Sequence, residues 1–478
     1  MPRRHATAAR ISALTLAVTA VTAVTAVTAV TAVTAVTASG ASTPYRPDRA
    51  ALQRALDAVV RSGAPGAIVL VRDHRHAVRL ASGDGNLVTR RPMRPGDRVR
   101  VGSVTKTFVA TVVLQLAAEG RLGLDDPIER RLPGLIAGGA VITIRQLLNH
   151  TSGLPDYADD AFVRDLFDDP RRTWAPRDLI SRATTHPPLF APGAGFAYSS
   201  TGYIALGLIV EAATGRPLAD EVRRRIVAPL HLRATSLDAG PRIAGRHAHG
   251  YTRYHGARKP LDISDIGQSF AWAAGALVST ADDLASFCRA LLGGRLLPPR
   301  LLAAMRPALP FDGQRWGLGL VETPHGCGPS WGHGGETLGY ETEAESSRNG
   351  ARQAIVAINA DQSVLGTRRA QIAISRLEEL AYCGSLARSG PAPGGSVRGR
   401  SVASPRRFVC AGAAQLWRRP GDGPIGVLHR GDAFDIERDS ASGRWAFGTG
   451  RIHRATLHPR GWIRRSALCR NRHAGGHS

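Results

Sequence analysis

Apolar and polar positions change their spacing several times along this chain, and each spacing predicts a different element. Residues 48–60 carry apolar side chains at helical intervals, whereas 66–73 and 76–83 are an apolar run and an alternating run separated by turn residues. These intervals predict a helix followed by a β-hairpin. By the same criteria we expect a helix over 104–119, strands over 316–322, 337–346 and 352–360, and a closing helix over 368–382.

The region between these elements, about 121–300, contains mostly helical segments divided by proline- and glycine-rich loops. The dipeptide Asn349-Gly350 is typical of the tight turn of a hairpin and predicts a turn between the last two strands. The whole stretch from about 45 to 385 is long enough to bury a large interior. We therefore predict a sheet with helices beside it, joined to a mostly helical subdomain.

The N-terminal segment 1–40 has the pattern of an export signal. Arg3 and Arg4 precede a long uncharged run that starts at Ile11, and small residues close it around Ala38. The run is long enough to span a bilayer, so a retained anchor is the alternative, but its frequent threonines favour cleavage. We expect a secreted protein, with a membrane contact only if this segment is retained.

The C-terminal part divides into a linker and a small β-rich segment. Residues 386–404 show no apolar periodicity and read as a flexible linker, whereas 405–470 contain short strand-like runs between turn signals. An arginine-rich disordered tail is the alternative, but three tryptophans in the segment argue against it. Because a small domain with a limited core is often held by a disulfide, we predict a Cys410–Cys469 bond.

The chain is strongly basic, with a formal net charge of +24. That charge fits an anionic partner such as a cell-wall polymer, although biased codon usage would give the same composition. No zinc-finger spacing and no aromatic–basic stripe accompanies it, so we expect no nucleic-acid partner. No metal-ligand spacing such as H-E-x-x-H is present either, and we expect neither a metal nor a cofactor.

The stretch VGSVTKTF places Ser103 at the start of the predicted helix and Lys106 three residues later. Residues at this spacing share a helix face, so the hydroxyl and the amine can meet. A serine becomes a nucleophile when a nearby base takes its proton, and a lysine can be that base if its pKa is lowered. Of 62 basic residues only two are lysines, so a lysine here indicates a need for a removable proton.

Two later stretches extend this candidate site. FAYSSTGY supplies Tyr198, which can share a proton relay with the lysine, and Ser200, which can hydrogen-bond to it. GPSWGHGGETLGY supplies His333, Gly334 and Gly335 on a predicted strand whose glycines let a substrate lie against the edge. A backbone N–H just beyond these glycines, with that of Ser103, could form an oxyanion hole.

In this order and spacing, the three stretches resemble the serine β-lactamase and D-alanyl-D-alanine carboxypeptidase family, in particular its class C-like branch. The resemblance implies an antiparallel sheet flanked by helices. It implies Ser103 as the acylated nucleophile and Lys106 with Tyr198 as the acid–base pair. The resemblance further implies substrate-binding or oxyanion roles for these residues: Ser200, Trp272, His333, Gly334, Gly335 and Glu336. It also suggests a Cys327–Cys383 disulfide, while Cys288 reads as a buried apolar residue.

Three positions depart from the family pattern. Ser200 stands in place of the usual asparagine, Gly334 replaces the threonine of H-T-G, and no arginine follows Leu320. A free carboxylate on the substrate therefore lacks two expected partners. The segment LLNHTSGLPDY (147–157) also matches the family, and we interpret residues 149–153 within it as a structural helix end and turn.

The segment 405–470 resembles a bacterial SH3-like domain, and such domains commonly bind cell-wall peptides. The expected function is a secreted, wall-associated D-alanyl-D-alanine carboxypeptidase-type peptidase whose substrate is a peptidoglycan peptide or another small acyl compound. An esterase or β-lactamase of the same fold is the first alternative. A non-catalytic wall-binding or penicillin-sensing protein is the second.

Overall fold

The computed structural model describes residues 48–384, except 75, 171, 255–258, 307 and 312, together with seven backbone strands between 406 and 469. The predictions for the signal segment 1–40 and the linker 386–404 lie outside the described residues. The Cys410–Cys469 prediction also does, because it rests on Cys410.

Residues 48–384 contain fourteen described strands, and nine of them form the main sheet. The strands of the first part of the chain are β1 (Gly66–Asp73), β2 (His76–Asn86), β3 (Arg91–Pro92), β4 (Val99–Arg100), β5 (Ser236–Leu237), β6 (Tyr251–Thr252), β7 (Leu261–Asp262), β8 (Leu277–Ser279), β9 (Leu309–Phe311), β10 (Gln314–Trp316), β11 (Val321–Thr323), β12 (Ser330–Thr337), β13 (Tyr340–Ser346) and β14 (Arg352–Ile358). The main sheet has the order β3-β2-β1-β14-β13-β12-β11-β10-β9, and its neighbouring strands pair antiparallel. Two further small sheets have the strand orders β4-β8-β5 and β6-β7.

Twelve α-helices accompany the sheet within the described residues. They are α1 (Arg49–Arg61), α2 (Val104–Ala118), α3 (Ile144–Leu148), α4 (Asp160–Asp168), α5 (Pro176–Ala183), α6 (Ser200–Thr214), α7 (Leu218–Val222), α8 (Trp272–Gly275), α9 (Ala281–Leu292), α10 (Pro299–Met305), α11 (Gln362–Leu365) and α12 (Arg368–Cys383). A 3₁₀ turn at Ile128–Arg130 and a π-helical turn at Arg223–Val227 complete the helical part. The helices predicted at the two ends of residues 45–385 are confirmed, and the Asp48 side chain caps α1.

The sheet separates two hydrophobic cores. On β1, Ile68 and Leu70 point into the larger core with α2, α6 and α9, whereas Val69 and Val71 point into a smaller core under α1 and α12. Because successive side chains of a strand face opposite sides, burial on both faces explains why this strand reads as a continuous apolar run.

Helix α2 lies at the centre of the larger core. Twelve of its fifteen residues are buried, and these include Lys106 as well as the apolar residues. A helix that is apolar on all sides is normally surrounded by protein. Its rigid, buried position gives the residues at its N-terminus a fixed location against the sheet.

Two strand predictions needed correction. The run 316–322 is divided into β10 and β11 by a turn in which Gly319 has a φ of 72°, and the run 337–346 is divided at Gly339, whose φ is 75°. Glycine adopts this left-handed conformation without strain, so each glycine ends one strand and starts the next. The turn predicted at Asn349-Gly350 is confirmed between β13 and β14.

The seven C-terminal strands form a separate antiparallel ladder. They are β15 (Arg406–Val409), β16 (Ala413–Trp417), β17 (Pro424–His429), β18 (Ala433–Asp439), β19 (Trp445–Arg451), β20 (Arg460–Arg464) and β21 (Leu468–Cys469). Their order is β17-β16-β20-β19-β18-β15-β21. Within the described part of the chain, no helix has both the length and the apolar character of a membrane span.

Candidate active site

The candidate nucleophile Ser103 lies where the chain leaves β4 and enters α2. Gly102, just before it, has a φ of 49°, and a Cβ there would lie 2.5 Å from the Glu336 carbonyl oxygen. No side chain fits in that space, so the glycine lets the start of α2 approach the backbone of β12. The sequence thereby brings the serine to the edge of the main sheet.

Lys106 reaches Ser103 across one turn of α2, as the spacing predicted. Its Nζ lies 2.9 Å from Ser103 Oγ and 2.8 Å from the Ala274 carbonyl oxygen. The lysine is only 1% exposed, and burial lowers its pKa to about 7, against a smaller opposing effect of Asp156. A neutral amine can donate to the carbonyl and use its lone pair to take the serine proton.

Tyr198 approaches the same serine from the loop before α6. Its hydroxyl donates to Ser103 Oγ at 2.8 Å, and its ring centre is 4.9 Å from Lys106 Nζ. Burial raises the pKa of Tyr198 above its ordinary value, and Asp156 adds to the shift. The phenol therefore stays protonated where the lysine can be neutral, which makes Lys106 the better base and Tyr198 a proton carrier.

Strand β12 offers an open edge beside the serine. Strand β11 pairs with β12 only from Ser330 to Gly332, so among the described residues no strand covers 333–337 on that side. A Cβ on Gly335 would lie 2.0 Å from the Val101 carbonyl oxygen and 3.0 Å from Ser103 N. This close approach places the start of α2 against the edge where an extended substrate can add as a strand.

The predicted oxyanion hole is compatible with this approach. A Cβ on Gly102 would lie 2.7 Å from Glu336 N, so the Glu336 amide adjoins the turn that carries Ser103. The Glu336 side chain is directed elsewhere, since its Oε1 accepts from the Gln362 amide at 3.1 Å. Burial and nearby carboxylates raise the pKa of Glu336 to about 8. The assignment of both amides to the oxyanion remains a prediction.

His333 is neutral and takes the place of a motif lysine without its charge. Its Nδ1 donates to the Gly334 carbonyl oxygen, so its buried Nε2 carries the lone pair, and Nε2 has no partner among the described residues. Burial, followed by the charge of Lys106, lowers the pKa of His333 to about 4. The ring lies 6.5 Å from that of Tyr198, centre to centre.

The structural interpretation of residues 149–153 did not place His150 beside the site, and the sequence analysis gave Asp156 no role. The ring of His150 stacks on Tyr198 at 4.4 Å, and its Nδ1 accepts from the Ser199 amide at 3.2 Å. Burial lowers the pKa of His150 well below its ordinary value, so the ring is neutral. Asp156 Oδ2 accepts from the Ser200 amide at 2.9 Å, at the first residue of α6. The only sequence signal for either residue was that the segment recurs in the family.

One predicted contact needs correction, and a second residue has a packing contact. Ser200 does not bond to Lys106, because the Ala274 carbonyl and Ser103 occupy the lysine, and the Ser200 hydroxyl has no partner among the described residues. The ring of Trp272 packs on α6, where a Cβ on Gly207 would lie 2.7 Å from it. This edge of the ring fills the gap left by that glycine, and the substrate contact of Trp272 stays a prediction.

The Cys327–Cys383 disulfide is present, and Cys288 is a buried free thiol. Near this bond, His325 Nε2 lies 2.8 Å from Glu345 Oε1, and His325 Nδ1 lies 3.0 Å from Glu379 Oε2. His325, Glu379 and Cys383 are close enough for a metal site, but the sulfur of Cys383 is committed to the disulfide. A disulfide sulfur is not the thiolate that a metal would require, so these residues fit an ion-paired cluster better than a metal centre.

Comparison with known proteins agrees with this geometry. A family model described as Beta-lactamase matches residues 49–373, about two thirds of the chain. The chain belongs to the β-lactamase family. The predicted fold, an antiparallel sheet flanked by helices, is thereby confirmed.

Relatives within the β-lactamase family differ in activity. The chain is 32% identical to "Penicillin-binding protein 4*" of Bacillus subtilis, over 35% of this chain and 38% of that protein. It is 36% identical to "Esterase EstB" of Burkholderia gladioli, over 40% of this chain and 53% of that protein. The chain thus spans about half or less of the length of these two relatives.

A solved structure covers more of the fold. The D-stereospecific amidohydrolase from a Streptomyces species is 39% identical, with a TM-score of 0.64, over 71% of this chain and all of that one. These similarities place residues 49–373 in the β-lactamase fold, with Ser103, Lys106 and Tyr198 together at the candidate active site.

Proposed function

We propose that this protein hydrolyses amide bonds next to D-configured residues, through an acyl-enzyme on Ser103. The observation that carries the proposal is the position of Ser103 Oγ, held 2.9 Å from Lys106 Nζ and 2.8 Å from the Tyr198 hydroxyl. The likeness to a D-stereospecific amidohydrolase supports the substrate class. The open edge of β12 supports an extended, peptide-like substrate.

In the first half of the reaction, neutral Lys106 takes the proton of Ser103 as Oγ attacks the substrate carbonyl carbon. The carbonyl oxygen becomes an anion, which the predicted oxyanion hole formed by the backbone N–H groups of Ser103 and Glu336 would stabilise. The tetrahedral intermediate collapses as the C–N bond breaks, and Tyr198 passes a proton to the leaving nitrogen. The lysine proton then restores the phenol, so the relay returns to its starting state.

In the second half, water replaces the leaving group. The same relay takes a proton from water as its oxygen attacks the acyl carbon, and Ser103 Oγ leaves with a proton from the relay. The buried, neutral His150 and His333 flank Tyr198 without adding positive charge beside Lys106. The low pKa of Lys106 therefore comes from its burial and not from a neighbouring cation.

A D-alanyl-D-alanine carboxypeptidase is the second candidate. The basic C-terminal segment favours it, since residues 405–470 contain 13 arginines and five acidic residues. An SH3-like module of this charge would hold the enzyme near anionic wall polymers and raise the local concentration of wall peptides. Two features count against it, because Gly334 lacks the hydroxyl of threonine and Val321 follows Leu320 where an arginine was expected.

The proposal is tested with matched stereoisomers. We expect D-alanyl-p-nitroanilide to be hydrolysed with a kcat/KM about 100-fold or more above that of the L isomer, and Ser103→Ala to lose about 1000-fold or more. A fluorescent penicillin should form an adduct with the wild type and none with Ser103→Ala, by intact-protein mass spectrometry. Equal rates on both isomers would refute the D-preference, and a fully active Lys106→Arg variant would refute the base assignment.

The role of the C-terminal segment is tested by comparing the full chain with a shortened variant. A variant ending at residue 385 should keep its rate on the small anilide but lose retention on purified cell walls at low salt. Equal retention of both proteins would argue that the segment has no wall-binding role. Retention that persists at high salt in the full chain would point to a neutral wall peptide instead of an anionic polymer.

A further inference from the structure

The loop between β11 and β12, residues 324–329, is joined to the rest of the fold at several points. We call this loop the strap. The Cys327–Cys383 disulfide joins it to the last residue of α12, and the Tyr382 hydroxyl donates to a backbone carbonyl oxygen of the strap at 2.7 Å. His325 makes a further connection, because its two ring nitrogens reach carboxylates on two different elements. The strap leads directly into β12, the strand that borders the candidate active site.

The histidine can donate to both carboxylates only when it is protonated. His325 Nε2 lies 2.8 Å from Glu345 Oε1 on β13, and Nδ1 lies 3.0 Å from Glu379 Oε2 on α12. A neutral imidazole has one N–H and the imidazolium has two, so only the charged ring bonds to both carboxylates as a donor. The histidine side chain is 8% exposed, and the Glu379 carboxylate also accepts from the Gly326 amide at 3.1 Å. The charged histidine therefore holds the strap to β13 and to α12 at once.

The surroundings of His325 contain an excess of acidic groups. The titratable and charged groups packed around it are Glu341, Glu343 and Glu345 on β13, Glu378, Glu379 and Tyr382 on α12, and Arg352 on β14 beside the tyrosine. Burial opposes the charge of His325, but the bonds to its two carboxylate partners raise its pKa above the ordinary value. Burial, with the charge of Glu345, raises the pKa of Glu378 to about 7. As the pH rises through these values, the histidine loses its charge while Glu378 gains one, so α12 and β13 repel each other more strongly.

We propose that the strap is a two-part switch, docked while either the disulfide is intact or His325 is charged, and released when the disulfide is reduced at a pH where the histidine is neutral. Reduction takes two electrons and two protons from two thiols of a reductant such as glutathione, which becomes a disulfide while Cys327 and Cys383 become thiols. The two connections act in parallel on one loop, so the covalent one responds to redox state and the ionic one to pH. This switch goes beyond the proposed function, because it does not depend on which substrate the active site takes.

The test measures the equilibrium between the Cys327–Cys383 bond and glutathione in the full chain. Differential alkylation with peptide mass spectrometry reports the fraction of this one bond. At about pH 6, we expect the equilibrium constant for bond formation in the wild type to exceed that of His325→Gln by about tenfold, because the charged histidine holds the two thiols together. At about pH 9, the two constants should agree within about threefold. His249→Gln is the matched control, since it removes a histidine that lies 2.7 Å from Asp262 outside the strap, and it should match the wild type at both pH values.

Hydrogen exchange of the Gly326 amide reports release of the strap directly. After correction for its intrinsic rate, exchange in the reduced wild type should be about tenfold faster at about pH 9 than at about pH 6, whereas the oxidised protein should be equally protected at both. An equilibrium constant that is the same in wild type and His325→Gln at the lower pH, with native circular dichroism spectra, overturns the proposal. A ratio of the two constants that does not change with pH overturns it as well. Should the glutamine variant not fold, Glu379→Gln removes the carboxylate on α12 and should lower the constant in the same way, and an unchanged constant there contradicts the proposal.

Discussion

The buried lysine predicts a specific dependence of stability on pH. Lys106 is 1% exposed, and burial lowers its pKa from the ordinary 10.5 to about 7. At about 1.4 kcal/mol for each pKa unit, the folded protein loses about 5 kcal/mol of stability when this amine must be protonated inside it. Replacing it in Lys106→Met keeps the length of the side chain and removes the charge.

The direction follows from where the proton binds. The amine of the unfolded chain binds a proton up to pH about 10.4, whereas the folded protein releases it above pH about 7. The destabilisation is therefore complete below pH 7 and declines as the pH rises, by about 1.4 kcal/mol per pH unit. Between about pH 6 and pH 9, the free energy of unfolding of the wild type should rise by about 2–3 kcal/mol relative to Lys106→Met.

Urea denaturation followed by circular dichroism measures both proteins at each pH. Comparing the two cancels the contribution of other titrating groups, such as Glu336, because both chains contain them. Lys259→Met, which removes the other, exposed lysine, is the control. Parallel stability profiles for the wild type and Lys106→Met would refute the claim that burial makes Lys106 a neutral base, even if the variant is inactive.

Three further outcomes are expected. In Asp156→Asn, loss of a charge that raises the pKa of the lysine base should move the acidic limb of kcat/KM to lower pH, and an unmoved limb in a pH–rate profile would contradict this. Gly334→Thr should lower the free energy of unfolding by about 1–3 kcal/mol, because the new side chain meets the Glu343 carboxyl group. Adding Glu343→Ala should restore most of this free energy in urea denaturation, and strictly additive effects of the two changes would exclude the contact. Loss of the Cys327–Cys383 bond, which spans 56 residues, should cost about 4 kcal/mol in Cys383→Ser, and a reductant should destabilise only the wild type.

Local contacts of the site were accessible from the sequence. The pairing of Ser103 with Lys106 depends on one turn of a helix, so their spacing and the helical pattern of residues 104–119 predict it. The main strands also follow from short-range patterns, except where Gly319 and Gly339 divide a run that seemed continuous in apolar periodicity. Those turns depend on backbone conformations that a count of apolar positions does not record.

Contacts between distant segments were decided by tertiary packing. Tyr198 meets Ser103 from 95 positions away, and the motif resemblance, not periodicity, anticipated that contact. The stacking of His150 on Tyr198 had no such guide. Each of these contacts depends on how α2, α6 and β12 pack, and that arrangement is set by the whole buried core.

The sequence by itself determined that Ser103 and Lys106 share one turn at the start of a helix. It also determined that this helix belongs to a domain of about 340 residues, followed by the basic segment 405–470. Only the tertiary structure decided the environment of those groups. It buried Lys106 enough to lower its pKa, left the edge of β12 open, and placed Glu343 over Gly334. The physical reason is that spacing determines contacts within one element, whereas burial, charge clustering and open strand edges arise only when elements separated along the chain pack together.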